Sequence, residues 1–466
     1  MSTPENHSYD VVVVGGGPTG ENVAARAVRG GLTATLVEVE LFGGECSYWA
    51  CMPSKALLRP VEVAAMAGRL PGVATGPLDV AAVLARRDGF ISHLSDAGQE
   101  KWVVDTGIAA VRGHGRLTGE RTVEVTGPDG AVTVLQARQA VVLATGTSAV
   151  VPDLPGLRDA KPWTSREVTT MKQVPRRLVV LGGGVVAVEM AQAAKGLGAE
   201  QVVLLVRGQG LLDRMEPYAG ALVADGLRET GVEIRYGVSA TAVRRDAAGV
   251  HVQLDDGGEV SGDELLVATG RRPRTDDLGL RAVGLEPGLP VEVDDSMRVP
   301  GSDWLYAAGD VNGRALLTHM GKYQARVCGD VIVARATGEP DDRPSLRATG
   351  PVPQVVFTDP QACSVGRTLA EARRAGMVVR SVSVDLGSVA GAALLADGYR
   401  GRAGLVVDDR DVVVGATFVG QDVAELLHSA TIAVTAELTL QQLWHAVPSY
   451  PTVSEAWLRL LEAAGL

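Results

Sequence analysis

An α/β fold of two Rossmann-like units followed by a C-terminal α+β domain is what this sequence predicts, on three observations. A buried strand, a glycine-rich turn and a helix open the chain. The same arrangement returns near residue 178. Beyond about residue 351 the pattern changes to short strands that precede two helical stretches. At 466 residues the chain has room for about three domains.

Asp10-Val11-Val12-Val13-Val14 reads as a parallel strand buried on both faces. It runs into Gly15-Gly16-Gly17-Pro18-Thr19-Gly20, then a helix through Ala24 to Val28, then a strand Ala34 to Val37 that ends at Glu38. In such a turn Gly15, Gly17 and Gly20 let backbone N–H groups approach a pyrophosphate at the helix N-terminus. The acid Glu38 is placed to hold a ribose hydroxyl. In the second copy Leu178 to Leu181 leads into Gly182-Gly183-Gly184-Val185-Val186-Ala187, a helix Val188 to Ala194 and a strand Gln201 to Val206. Each unit is followed by a strand ending in Ala-Thr-Gly, at Thr145-Gly146 and at Thr269-Gly270. Two copies predict two bound dinucleotides. Asp310 closes the segment Tyr306 to Val311, either as a ligand-facing carboxylate or as a helix cap. In the last domain, strands are expected near Val355, Val382, Gly404 to Val407 and Val412 to Val419, forming an antiparallel sheet. Helices are expected over 421–436 and 454–463, and 337–351 reads as the linker.

Composition narrows the function. The formal net charge of -11 argues against a nucleic-acid or anionic-membrane surface. No apolar run approaches the ~20 residues needed to span a bilayer. The start, Met1 to Asp10, is polar and acidic and has no signal-peptide pattern. Four cysteines are too few for a secreted disulfide scaffold. A cytoplasmic protein is the expectation.

Two of those cysteines lie in Gly43-Gly44-Glu45-Cys46-Ser47-Tyr48-Trp49-Ala50-Cys51-Met52-Pro53-Ser54-Lys55. In a regular helix, residues five apart exceed the roughly 7 Å Cα limit of a disulfide. Joining Cys46 to Cys51 therefore requires a distorted turn before a helix that begins near Pro53. A helix N-terminus favours a thiolate, which suits a redox pair. Two buried thiols without chemistry are the alternative. Zinc is disfavoured because no second Cys/His pair completes four ligands.

With these motifs in their order and spacing, the whole chain resembles the FAD-dependent pyridine nucleotide-disulfide oxidoreductases, which include glutathione reductase, dihydrolipoamide dehydrogenase, mycothione reductase and mercuric reductase. The residues that carry the resemblance are Gly15 to Gly20 with Glu38, Cys46 to Lys55, Gly182 to Glu189, Gly309-Asp310 and Tyr450 to Glu455. It implies an FAD-binding domain from 1–150 and 271–345, an NAD(P)-binding domain at 151–270 and a dimerisation domain at 346–466. FAD would lie over Gly15, Gly17, Gly20 and Gly44, near Glu38, His114, Gly115, Thr145, Gly146, Asp310, Leu317 and Thr318. The nicotinamide dinucleotide would lie over Gly182, Gly184, Ala187 and Gly270. Lys55 would sit beside the flavin and pair with Glu189. Cys51 would be the thiol nearer the flavin and Cys46 the one that exchanges with an external substrate. Cys328 and Cys363, which no motif pairs, would be buried.

A carboxylate ending the second strand would hold the 2′-hydroxyl of NAD. Here Val206-Arg207 stands instead, with Arg214 following, and two arginines suit a 2′-phosphate. NADPH is the expected donor, with NADH the alternative. The implied protein is a homodimeric FAD-dependent NAD(P)H oxidoreductase acting on a small acceptor.

Two departures bear on that acceptor. Disulfide reductases of this family carry His-Pro-Thr-x-x-Glu near the C-terminus, and this chain has Tyr450-Pro451-Thr452-Val453-Ser454-Glu455. A phenol titrates near 10 and imidazole near 6.5, so Tyr450 is a poor base at pH 7. His445 reads as structural. Mercuric reductase also has tyrosine here but adds a C-terminal cysteine pair, absent from Glu462-Ala463-Ala464-Gly465-Leu466. Between the cysteines, Tyr48 and Trp49 either stack a planar substrate or fill space. A disulfide or thiol acceptor other than glutathione or lipoamide is therefore expected. A quinone reductase and a non-catalytic redox sensor are the alternatives.

Overall fold

The computed structural model describes residues 5–466. The first four residues, part of the polar start noted above, lie outside the described residues. The chain groups into two compact units, one of 1–52, 88–150 and 271–349, the other of 53–87, 151–270 and 350–466. Segment 53–87 does not follow its neighbours: it groups with the second unit, as does the whole C-terminal domain.

In the first unit, β1 (Glu5–Val14) is the central strand, paired in parallel with β2 (Ala34–Glu38) and with Val132–Leu143. Helix α1 (Pro18–Arg29) crosses between β1 and β2. Val11, Val12 and Val13 are fully buried, as an apolar run with covers on both faces requires. Helix Thr318–Thr337 packs on α1 so closely that a Cβ on Gly329 would lie 2.5 Å from Arg26 Cβ.

The second unit repeats the design. Strands Val232–Tyr236, Gln201–Val206, Arg177–Leu181 and Glu264–Val267 form a parallel sheet, and helix Val185–Gly196 follows the glycine turn. The C-terminal domain holds an antiparallel sheet ordered Gln354–Val356, Gln361–Gly366, Val413–Gly420, Arg402–Asp408 and Val379–Asp385. The strand at Gln361–Gly366 was not foreseen. Val356, Ala362 and Val419 of this sheet share one apolar cluster with Val188 and Ala191, which explains why the two parts form one unit. Leu57, Leu58 and Val61 join the same cluster, which accounts for the placement of segment 53–87.

The redox segment also differs from expectation in its helix start. Gly44–Tyr48 is a short helix of its own, α2, and the next helix, α3 (Cys51–Gly68), begins two residues ahead of Pro53. Gly43, in the left-handed region at φ 103°, opens α2, and Trp49 leaves it at φ -135°. The required break in helix geometry thus falls at Trp49-Ala50.

Phe418 in the C-terminal sheet is fully buried and meets Trp457 edge-on at 5.9 Å between ring centres. Truncating a buried Phe costs about 3–5 kcal/mol. Phe418→Ala should therefore lower the melting temperature of the second unit by several degrees in calorimetry, leaving the first unit's transition unchanged.

Candidate active site

Backbone geometry at the two glycine turns is nearly the same. Gly15 has φ +111°, and a Cβ there would lie 2.4 Å from the Ala144 carbonyl oxygen; Gly182 has φ +133° and the same 2.4 Å approach to the Ala268 oxygen. Only glycine permits this conformation and this contact. Gly20 would bring a Cβ within 1.9 Å of the Gly15 oxygen, so the helix is pressed onto its strand. At Gly17 the nearest atom to such a Cβ is 3.9 Å away, and at Gly184 nothing lies within 4 Å. The turns are thus tight underneath and open above, and each open cradle faces a helix start. That fits a pyrophosphate in each unit.

Glu38 accepts the Gly16 N–H and the Glu40 N–H, both at 2.7 Å. Burial pushes its pKa up, and those two hydrogen bonds oppose the rise. Gly44 lies against the first turn, where a Cβ would stand 2.8 Å from Gly17 Cα. Gly115 is pressed on Val14 and Val37 at the ends of β1 and β2, while the His114 ring lies 2.9 Å from the Asp277 carbonyl oxygen. Gly146 accepts the Arg274 N–H at 3.0 Å, and Thr145 Oγ1 donates to the Arg274 carbonyl at 3.0 Å. Asp310 is not a cap: its Oδ2 accepts from Thr147 Oγ1 at 3.0 Å. Burial raises its pKa, against the Thr147 hydrogen bond and the Arg271 charge.

Of the two cysteines, Cys51 Sγ lies 3.5 Å from Thr318 Oγ1, and Leu317 precedes that helix as its N-cap. Cys46 and Cys51 are both partly exposed. Tyr48 is 3% exposed, and burial pushes its phenol up to about 12, so it fills the interior beneath α2 and does not line the approach. Trp49, edge-on to it at 5.7 Å, is the partly exposed ring of the pair. Cys328 and Cys363 are both fully buried, as expected. Burial pushes the Cys363 thiol up to about 12.

In the second unit Lys55 Nζ donates to Glu189 Oε2 at 2.8 Å and stands 5.0 Å from the centre of the Phe357 ring. Glu189 is 2% exposed, and its other oxygen accepts the Phe357 N–H at 3.0 Å. Gly270 has φ +141°, and Ala187 is buried in the helix that follows the glycine turn. Arg207 and Arg214 are exposed on the loop after strand Gln201–Val206, with no ion pair among the described residues.

The Tyr450 region does not assemble a dyad within the chain. Tyr450 is 76% exposed, and Glu455 Oε1 pairs with Arg459 at 2.7 Å, one helical turn on. Its buried Oε2 has no partner among the described residues. His445 is exposed in the single chain.

The sequence reading missed Glu45, Arg271 and Arg274, which the fold brings together: Arg274 Nη2 donates to Glu45 Oε1 at 2.8 Å. It also missed Glu21, the residue after the third glycine, which is 7% exposed. Its Oε1 has no partner among the described residues. Burial, with Glu38 nearby, pushes its pKa up to about 7, opposed by Lys322. Between the ordinary carboxyl value and 7 the folded chain holds a proton that the unfolded chain releases, so stability falls as pH rises through that window. The loss across it is on the order of 3 kcal/mol. Glu21→Gln should therefore raise the melting temperature at pH 8 and change it little at pH 4.5.

Residues 9–338 match the family described as pyridine nucleotide-disulphide oxidoreductase, and residues 352–461 match that family's dimerisation domain. The mercuric reductase of Shigella flexneri is 33% identical over 97% of this chain and 80% of its own length. The dihydrolipoyl dehydrogenase of Thermus scotoductus is 32% identical over 98% of this chain and 97% of its own length. The HOCl-induced flavoprotein disulfide reductase RclA of Escherichia coli, solved as a Cu(II) complex, has a TM-score of 0.84 at 23% identity, covering 98% of this chain and 99% of that one. LpdA of Mycobacterium tuberculosis has a TM-score of 0.83 at 24% identity, covering 99% and 100%. At these identities the solved structures establish the fold. No helix among the described residues is long and apolar enough to cross a membrane. Matched over most of its length, the chain belongs to the pyridine nucleotide-disulphide oxidoreductase family, enzymes that use FAD and NAD(P)H.

Proposed function

We propose that this enzyme moves electrons from NADPH through FAD to Cys46 and Cys51, and on to a disulfide acceptor other than glutathione or lipoamide. The observation that carries the reading is Cys51 Sγ at 3.5 Å from Thr318 Oγ1, at the start of helix Thr318–Thr337. Positive charge at a helix start and a hydroxyl within reach both favour a thiolate.

FAD, when bound, supplies a two-electron carrier between the nicotinamide and the cysteine pair. The residues do the rest. Gly15, Gly17, Gly20 and Gly44 leave the first cradle open for its pyrophosphate, with Glu38, His114, Gly115, Thr145, Gly146, Asp310, Leu317 and Thr318 around it. Gly182, Gly184, Ala187 and Gly270 shape the second. Lys55, paired with Glu189, would supply the cation that negative charge on a reduced flavin calls for. Once the pair is reduced, the Cys46 thiolate attacks one sulfur of the acceptor disulfide, whose bond breaks as a mixed disulfide forms. The leaving thiolate takes up a proton. Cys51 then attacks Cys46, releases the second acceptor thiol and restores the Cys46–Cys51 bond.

Tyr450, in place of histidine, is a weaker acid toward that leaving thiolate than an imidazolium, and Glu455 is held by Arg459. An acceptor whose thiol is acidic, and so leaves without help, fits this site better than an alkyl disulfide. Tyr450 serves as a proton donor at most, supplied by the partner subunit of a cytoplasmic homodimer. A quinone acceptor is the alternative, and Cys46→Ser separates the two. It abolishes disulfide reduction if this reading holds and leaves quinone reduction intact.

Cys51→Ser should abolish the long-wavelength absorbance that a thiolate against the flavin gives on two-electron reduction. A variant that keeps the band would contradict the assignment. Arg207→Ala should raise the KM for NADPH roughly ten- to a hundredfold, the worth of a charge-assisted hydrogen bond to phosphate. It should barely move the KM for NADH. Equal losses would mean that Arg207 does not read the 2′-phosphate.

A further inference from the structure

We infer that Glu45 is a positioning residue for the exchange thiol: clasped by Arg274 and Arg271, its carboxylate fixes the charge beside Cys46. The inference rests on the reading of Cys46 as the thiol that meets the acceptor.

Glu45 and Cys46 are neighbours in α2, a helix of five residues. A helix this short is not stable by itself and needs outside contacts to hold its place. Glu45 supplies them. Arg274 Nη2 donates to its Oε1 at 2.8 Å, and Arg271 Nη2 lies 3.9 Å from its Oε2. Neither guanidinium is at liberty to swing. Arg271 donates to Thr147 Oγ1 at 2.7 Å and to the Thr147 carbonyl at 2.9 Å. Arg274 is tied through its backbone to Gly146 and Thr145, and its Nη1 lies 3.5 Å from Glu40 Oε2.

Two cations, Arg271 and Arg274, meet two carboxylates, Glu40 and Glu45. Glu38 at the end of β2 and Asp310 behind Thr147 are the further acidic groups facing it. The side chains of Glu45 and Arg271 are only 21% and 23% exposed, so water and salt screen this group less than a surface pair. A change of one charge therefore reaches the neighbouring thiol, and its sign follows from which partner is removed. Loss of Glu45 removes one negative charge and favours the Cys46 thiolate. Loss of Arg274 removes one positive charge and disfavours it. A role confined to anchoring α2 would not reverse sign between the two.

The test uses the FAD-loaded dimer, reduced anaerobically with one equivalent of dithionite. The rate of Cys46 alkylation by iodoacetamide is followed against pH, with the site assigned by peptide mass spectrometry. Glu45→Gln should lower the midpoint of the profile by about one pH unit, the usual effect of one nearby charge. Arg274→Gln should raise it by a similar amount, and Glu45→Asp should restore the wild-type midpoint in large part. Should Glu45→Gln fail to fold, the upward shift in Arg274→Gln is still required. Shifts of the same sign in both variants, or unmoved midpoints with FAD retained, would overturn the inference. Reduced wild-type enzyme in which Cys46 is not alkylated at all would instead overturn the reading of Cys46, and the inference with it.

Discussion

Glu189 is the interaction on which the second unit depends. Its carboxylate is 2% exposed and binds Lys55 of α3 through one oxygen and the Phe357 backbone through the other. A buried carboxylate is stable as an ion only when paired and hydrogen-bonded, and removing one partner of such a pair costs about 3–5 kcal/mol. Three separate stretches of chain meet at this one side chain: helix α3, the helix after the second glycine turn, and the start of the C-terminal sheet. The Lys55 ammonium is thereby fixed by the same contact that holds the unit together.

The paired glycine turns show a second economy. Each first glycine lies in the left-handed region against a carbonyl of the returning Ala-Thr-Gly strand, and each third position leaves open space. Close packing below and room above follow from one short motif used twice. The motif was legible because its first position, at positive φ against a carbonyl oxygen, excludes every side chain, so glycine is the only residue that fits there. Strand β1 was legible for a related reason, since a strand covered on both faces has no polar alternation to obscure it.

What the sequence hid depends on contacts far apart in the chain. Glu45 and Arg274 are separated by 229 residues, and nothing local to either announces the pair. The inward turn of Tyr48 follows from the break between α2 and α3, whose position the proline at 53 misplaced by two residues. Strand Gln361–Gly366 escaped notice because Gln-Ala-Cys-Ser-Val-Gly lacks large apolar residues; its neighbours supply the bulk. Segment 53–87 reads as a continuation of the first unit, and only the packing of Leu57, Leu58 and Val61 assigns it to the second.

In the proposed reading the site is a redox centre that carries Tyr450 where the disulfide reductases of the family carry histidine. Glu455 is engaged by Arg459 and Tyr450 stands out from the chain, so the proposed chemistry rests on the cysteine pair and the charges around it. The most direct measurement is a count of thiols by alkylation and mass spectrometry, before and after one equivalent of NADPH under anaerobic conditions. Passage of electrons through the pair predicts that Cys46 and Cys51 become alkylated only after NADPH is added, with Cys328 and Cys363 unlabelled in both samples. Rapid turnover of an acceptor with Cys46 and Cys51 equally labelled before and after NADPH would contradict it.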